Sequence, residues 1–109
     1  MIESVEYIDA NGRNSYARWF NRLNRQASAR VAKALARMKD GNFSNTRGVG
    51  AGVIECRIDF GPGYRIYFGR EGDVLIILLG GGTKQRQQWD IETARQLWRE
   101  YKRRKRQET

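Results

Sequence analysis

The sequence predicts an α+β fold with the element order β-α-α-β-β-β-α, an antiparallel sheet packed against a helical hairpin. Three observations carry that expectation. Apolar residues fall at helical spacing in the first third, three short apolar segments separated by glycines follow a glycine-rich loop, and a last helical pattern closes the chain. With 109 residues and 39% hydrophobic content there is material for one core and not for two. Residues 1–101 are expected to form the domain and residues 102–109 a basic C-terminal tail.

Ile2 to Ile8 alternates as a short strand and is broken by Asn11 and Gly12. Tyr16, Trp19, Phe20 and Leu23 then occupy one helical face from about Ser15. After a polar break at Asn24 to Gln26, a second helix from about Ala27 to Lys39 places Val31, Leu35 and Met38 inward and Arg30, Lys33 and Arg37 outward. Such a short connection makes the helices antiparallel neighbours. Gly41 to Gly52 reads as a long loop without periodicity. Strands follow at Val53 to Phe60, Tyr64 to Gly69 and Val74 to Leu79, turning at Gly61-Pro62-Gly63 and Glu71-Gly72. The last is apolar throughout, as befits a strand covered on both faces. Gly80-Gly81-Gly82 is expected to end it, and Asp90 to cap a final helix that buries Ile91, Ala94, Leu97, Trp98 and Tyr101.

Charge narrows the function. There are 21 Lys plus Arg against 12 Asp plus Glu, a net charge of +9 with pI near 10.3, which favours a polyanionic partner: RNA, DNA, an acidic protein or an anionic membrane surface. The run Lys102 to Arg106 with Glu108 accounts for +4 of that +9, so the rest of the chain is basic at +5 on its own. That run reads as a solvated extension with at most a non-specific electrostatic role. One cysteine and no histidine argue against a disulfide framework, a zinc site or any other metal or cofactor. The absence of a signal pattern or a membrane-length apolar segment leads us to expect a cytoplasmic protein.

Strand alternation gathers the polar residues. Ile54, Cys56, Ile58 and Phe60 face one way, and Val53, Glu55, Arg57 and Asp59 the other. A three-residue Gly-Pro-Gly loop would set Asp59 opposite Arg65 and Arg57 opposite Tyr67, giving a face with Glu55, Arg57, Asp59, Arg65 and Tyr67, and with Lys84 and Arg86 beside it. Guanidinium groups suit phosphate and a ring suits a base. The plainer reading is a cross-strand Asp59–Arg65 ion pair on a solvated face, with Tyr67 as packing. Without histidine, the proton transfers of RNA cleavage would fall to groups whose ordinary pKa lies far from neutral, so the residues favour RNA binding over cleavage. Cys56, on the inward side of its strand, is expected to be inert.

Three segments are distinctive together: Gly52-Val53-Ile54-Glu55-Cys56-Arg57-Ile58-Asp59, Gly61-Pro62-Gly63-Tyr64-Arg65-Ile66-Tyr67-Phe68, and Gly80-Gly81-Gly82-Thr83-Lys84 ahead of Asp90-Ile91. They resemble the HigB-like, phage-derived Gp49-like killer branch of the RelE/ParE toxin superfamily, and Trp19 to Leu23, Ala29 to Val31 and Asp40 to Asn42 extend the resemblance to about Tyr101. It implies the toxin of a type II toxin–antitoxin module, neutralised by an antitoxin that is a helix-turn-helix DNA-binding protein. It also implies translation inhibition by a metal-independent endoribonuclease that cuts mRNA on the ribosome. By position, Arg65 corresponds to a phosphate-binding arginine, Arg57 to a basic residue on the preceding strand and Lys84 to one after the last strand. With Tyr67 and Arg86 they make the expected RNA-binding set. Glu55 stands where nuclease members often carry lysine, and Trp89 and Asp90 stand where they carry a tyrosine or histidine. The same resemblance leaves two alternatives: a ParE-like inhibitor of DNA gyrase that does no chemistry, and a non-toxic phage-derived binding protein.

Overall fold

The computed structural model describes residues 1–108. In chain order these form β1 (Glu3–Glu6), α1 (Ser15–Phe20), α2 (Arg25–Lys39), β2 (Thr46–Gly48), β3 (Ile54–Ile58), β4 (Tyr64–Glu71), β5 (Leu75–Thr83) and α3 (Gln87–Gln107), with a single 3₁₀ turn over Lys84–Arg86. The α+β class holds, with two corrections. A fifth strand, β2, lies inside the segment expected to be loop, and the five-stranded sheet, ordered β1-β5-β4-β3-β2, is mixed, because β1 runs parallel to β5. The chain leaves β1 through the two helices and re-enters the sheet at the opposite edge as β2.

Asparagines start both hairpin helices. The Asn14 side chain accepts from the Ala17 N–H at 2.9 Å and that of Asn24 from the Ala27 N–H at 2.8 Å, so the polar break between the helices is the cap and first turn of α2. The hairpin covers one sheet face, where Tyr16, Val31 and Met38 pack on Cys56, Ile66, Phe68, Ile76 and Leu78. α3 covers the other, with Ile91, Ala94 and Trp98 against Val53, Tyr67, Ile77 and Leu79. Alternate residues of β5 thus enter opposite cores, which is why its apolar run is unbroken.

Gly80, Gly81 and Gly82 do not end β5; they pair with Tyr67, Ile66 and Arg65 of β4, past an irregularity between Tyr67 and Phe68. Glycine is needed here for close approach. The Trp19 ring lies directly on Gly81, the Asp90 carboxylate on Gly82, and the Trp98 ring on Gly69. Lys102 to Gln107 continue α3, and Arg104 and Lys105 tie it back to the segment after β1 and to β4. Arg104 donates to the Ile8 carbonyl at 2.9 Å, and Lys105 pairs with Glu71 at 2.6 Å. Among the described residues no helix is long and apolar enough to cross a membrane.

A methyl group at Gly69 would meet three Trp98 ring carbons at 2.5 Å, and a ring held between sheet and helix cannot retreat. Gly69→Ala is expected to lower unfolding stability by about 1–3 kcal/mol, read as a reduced urea midpoint at unchanged slope. A midpoint equal to that of the parent would mean that the ring does not lie on this strand.

Candidate functional site

The polar residues gathered by alternation do share the face under α3, but their pairing differs by two positions. Arg57 lies opposite Arg65 and Glu55 opposite Tyr67. The cause is the turn. β3 ends at Ile58 and β4 begins at Tyr64, so five residues, Asp59 to Gly63, form the loop, with Gly61 and Gly63 at positive φ and the Gly63 N–H bonded to the Phe60 carbonyl. A shift of two keeps every side chain on its face and changes every partner. The expected Asp59–Arg65 pair therefore does not form; Asp59 pairs with Arg57 at 3.6 Å on the surface.

At the centre sits Glu55, whose side chain is 3% exposed. Its carboxylate accepts from Arg47 Nε on β2 at 3.0 Å, from the Tyr67 hydroxyl on β4 at 3.1 Å and from Gln87 Nε2 on α3 at 2.9 Å, and it faces Arg65 Nε at 3.7 Å. Three elements beyond its own strand thus meet on one carboxylate. Nor is this the solvated face that the charge pattern implies: α3 covers Glu55, Arg65 and Tyr67, leaving them buried. Burial first, then the Glu55 charge, pushes the Tyr67 hydroxyl pKa far up, so it stays protonated and serves as a donor.

Arg65 is fixed at its far end, where Nη1 donates to the Gly63 carbonyl at 3.0 Å, while its buried Nε makes no hydrogen bond. The Lys84 backbone N–H donates to the same carbonyl at 3.0 Å, which places the exposed Lys84 beside the Arg65 guanidinium. Arg57 is exposed opposite Arg65, and Arg86 is exposed over the Trp89 ring at 5.8 Å. The structure therefore brings Arg57, Arg65 and Lys84 to one rim, with Arg86 further along it, and withdraws Tyr67 beneath them.

Asp90 is not a cap. It lies in the first turn of α3, whose N-cap position is Arg86, and its carboxylate turns onto Gly82, the β partner of Arg65. Burial raises its pKa above the ordinary carboxylate value, with Arg86 opposing the shift. Cys56 is buried among apolar side chains, and burial, then Glu55, pushes its thiol up to about 11, an unreactive state.

Arg47, Gln87 and the central role of Glu55 escape a reading of the sequence. Glu55 carried a usable signal, a carboxylate alternating with core residues on the side of Arg65 and Tyr67. Arg47 and Gln87 carried none, one lying in an aperiodic stretch and the other ahead of the expected helix start.

Removing the central carboxylate would leave Arg65 buried without its counter-charge. Glu55→Ala is expected to cost about 3–5 kcal/mol in chemical denaturation, and Arg47→Ala, which removes a mostly exposed partner, well under half of that. Equal losses would deny Glu55 its central place.

The Asp90 shift makes a second claim. A carboxyl whose pKa is higher folded than unfolded binds protons more readily in the folded protein, so stability falls as pH rises between the two values. The deficit is complete at neutral pH. Asp90→Asn should raise the thermal midpoint at pH 7, and the gain should vanish below the ordinary value of 3.8. A gain that persisted unchanged at acid pH would have another origin.

A family model described as "Phage derived protein Gp49-like" matches residues 18–102. A protein of Haemophilus influenzae strain Rd, described as uncharacterized, is 41% identical over 83 residues, which cover 75% of this chain and 84% of the relative. The segment matched by the family model holds every residue of the rim.

Proposed function

The chain belongs to the family of phage-derived Gp49-like proteins, and on that premise we propose that it is the toxin of a toxin–antitoxin module. In this reading it is a metal-independent endoribonuclease that cuts mRNA on the ribosome and is held in check by a helix-turn-helix antitoxin. One observation carries the proposal: Arg57 and Arg65 lie directly opposite each other on neighbouring strands, with Lys84 beside Arg65. Like charges in that position cost stability. Glu55 and Asp59 offset part of the cost, and the bound phosphate offsets the rest. Such a cluster is what a phosphorane, more highly charged than the phosphodiester it forms from, requires.

The roles follow from burial. Arg65 is preorganised by the Gly63 carbonyl and Glu55, so little ordering is needed when the negative charge develops. Arg57 and Lys84 are exposed and close on the phosphate from either side. Tyr67, with no surface of its own, is a positioning residue that holds Glu55 rather than a platform for a base. Arg86 extends the cationic rim toward the neighbouring nucleotide.

The test is to map mRNA 5′ ends after adding the purified protein to a translating extract. New ends that require ribosomes are expected. Lys84→Ala, at an exposed position, should reduce their formation by about 10²–10³-fold. Arg65→Ala should abolish both cutting and growth inhibition while unfolding remains cooperative, because Glu55 keeps Arg47, Tyr67 and Gln87. Intact mRNA alongside accumulating cleaved DNA would overturn the proposal in favour of a gyrase inhibitor, and toxicity retained in Arg65→Ala would remove Arg65 from the site.

A further inference from the structure

A cleft of about 400 Å³ runs between α1 and the first turns of α3, along the glycine end of β5. It is large enough for a nucleoside. Its base is Gly80 to Gly82, a stretch of β5 left without a strand partner on that side because pairing with β1 ends at Leu78. Trp19 and Trp89 provide aromatic walls, and Arg18, Arg22 and Arg86 bring cations. Trp89 is 67% exposed, unusual for the largest apolar ring, and Arg86 lies over it.

Asp90 is the anomaly within this cleft. Among the described residues it forms no hydrogen bond and no ion pair, although three arginines share the cleft with it. Its oxygens are therefore left to solvent, and a ligand that displaces that water must supply donors in its place. The carboxylate lies against the strand backbone at Gly82, where a Cβ would overlap it. A carboxylate offers acceptors alone, so whatever satisfies it must present donors.

We propose that this cleft reads a base of single-stranded RNA and selects guanine, whose N1–H and exocyclic amino group donate together to the Asp90 carboxylate while the ring stacks on Trp89. Of the four RNA bases, guanine alone sets two donors side by side on its pairing edge. Adenine and cytosine place one amino group beside an acceptor, and uracil flanks its single N–H with two carbonyls. Each would turn an acceptor toward the carboxylate. Arg18, Arg22 and Arg86 take the flanking phosphates, the division of labour by which proteins bind unpaired RNA. The inference rests on the proposed function and extends it, since Gly82 pairs with Arg65 and the cleft therefore adjoins the cationic rim.

Two measurements test it. In the first, fluorescence anisotropy is read with single-stranded RNA pentamers that differ only in the central base and carry a 2′-deoxy sugar there. The guanine pentamer should bind roughly tenfold more tightly than the other three. Asp90→Asn should erase that preference while leaving the other three affinities within about threefold, and Trp89→Ala should weaken all four. In the second, the 5′-end maps of parent and Asp90→Asn are compared. The parent's cuts should be enriched in guanine at a fixed position, and the variant should keep cutting with the enrichment lost. Cuts without base enrichment, or enrichment that survives in Asp90→Asn, would overturn the subsite while leaving the nuclease reading intact. Absence of cuts would instead count against the nuclease reading. Binding of an acidic peptide in competition with the guanine pentamer, lost in Arg18→Ala/Arg22→Ala but not in Asp90→Asn, would overturn the subsite in favour of a protein-docking cleft. The thermal midpoint of Asp90→Asn shows at once whether the variant is folded.

Discussion

Glu55 is a carboxylate with almost no access to water, and burying such a charge is unfavourable unless donors surround it. The chain supplies them from β2, β4 and α3. Because those elements are far apart in sequence, the carboxylate sets where they stand relative to one another: Arg47 fixes the outermost strand, Tyr67 the centre of the sheet and Gln87 the start of α3. Arg65 sits in the same shell, so the cation most central to the rim is held by the fold itself. An arginine tethered only by surface contacts would have to be ordered anew each time an anion arrived.

The second constraint is the use of bare backbone as a packing surface. Trp98 lies on Gly69 and Gly52, Trp19 on Gly81 and Asp90 on Gly82. Each contact brings a helix closer to the sheet than any Cβ would permit. The ring of Trp98 sets the middle of α3, while Arg104 and Lys105 anchor its far end to the segment that follows β1 and to β4. A helix of 21 residues fixed at both places cannot tilt without breaking one of them. The exposed Trp89 and the unpartnered Asp90, at its near end, are consequently placed by contacts well away from the rim. Local sequence around residues 86 to 90 could not have done this, since α3 starts without a side-chain cap.

Where the sequence was legible, simple periodicity was at work. Alternation assigned the residues of β3, and Tyr64 to Phe68 of β4, to their correct faces, and the unbroken apolar run of β5 correctly announced burial on both sides. It failed on four particulars, each with a physical cause. The Arg57–Arg65 pairing depends on the conformation of Asp59 to Gly63, and a two-residue change of register leaves the hydrophobic pattern untouched. The glycine run looked like an ending, because the side chains that make a strand of it belong to helices distant in sequence. The face of Glu55, Arg65 and Tyr67 looked solvated since charged residues ordinarily are; here the charges face one another and α3 closes over them. A three-residue strand such as β2 has too few positions to show any period at all.

The rim and the cleft differ in how their charges are balanced. At the centre of the rim, the two facing arginines each have a carboxylate within reach: Arg65 has Glu55 and Arg57 has Asp59. A neutralised pair attracts a phosphate weakly at long range, so the rim depends on short-range geometry. The cleft is the reverse. Its arginines line the same cleft as Asp90 yet form no ion pair with it, so both signs of charge remain available to a ligand. A purely anionic ligand would satisfy the arginines and repel Asp90, whereas a cationic one would do the opposite. A nucleotide carries anionic phosphate and a neutral edge of donors in one molecule, and it suits both without displacing either.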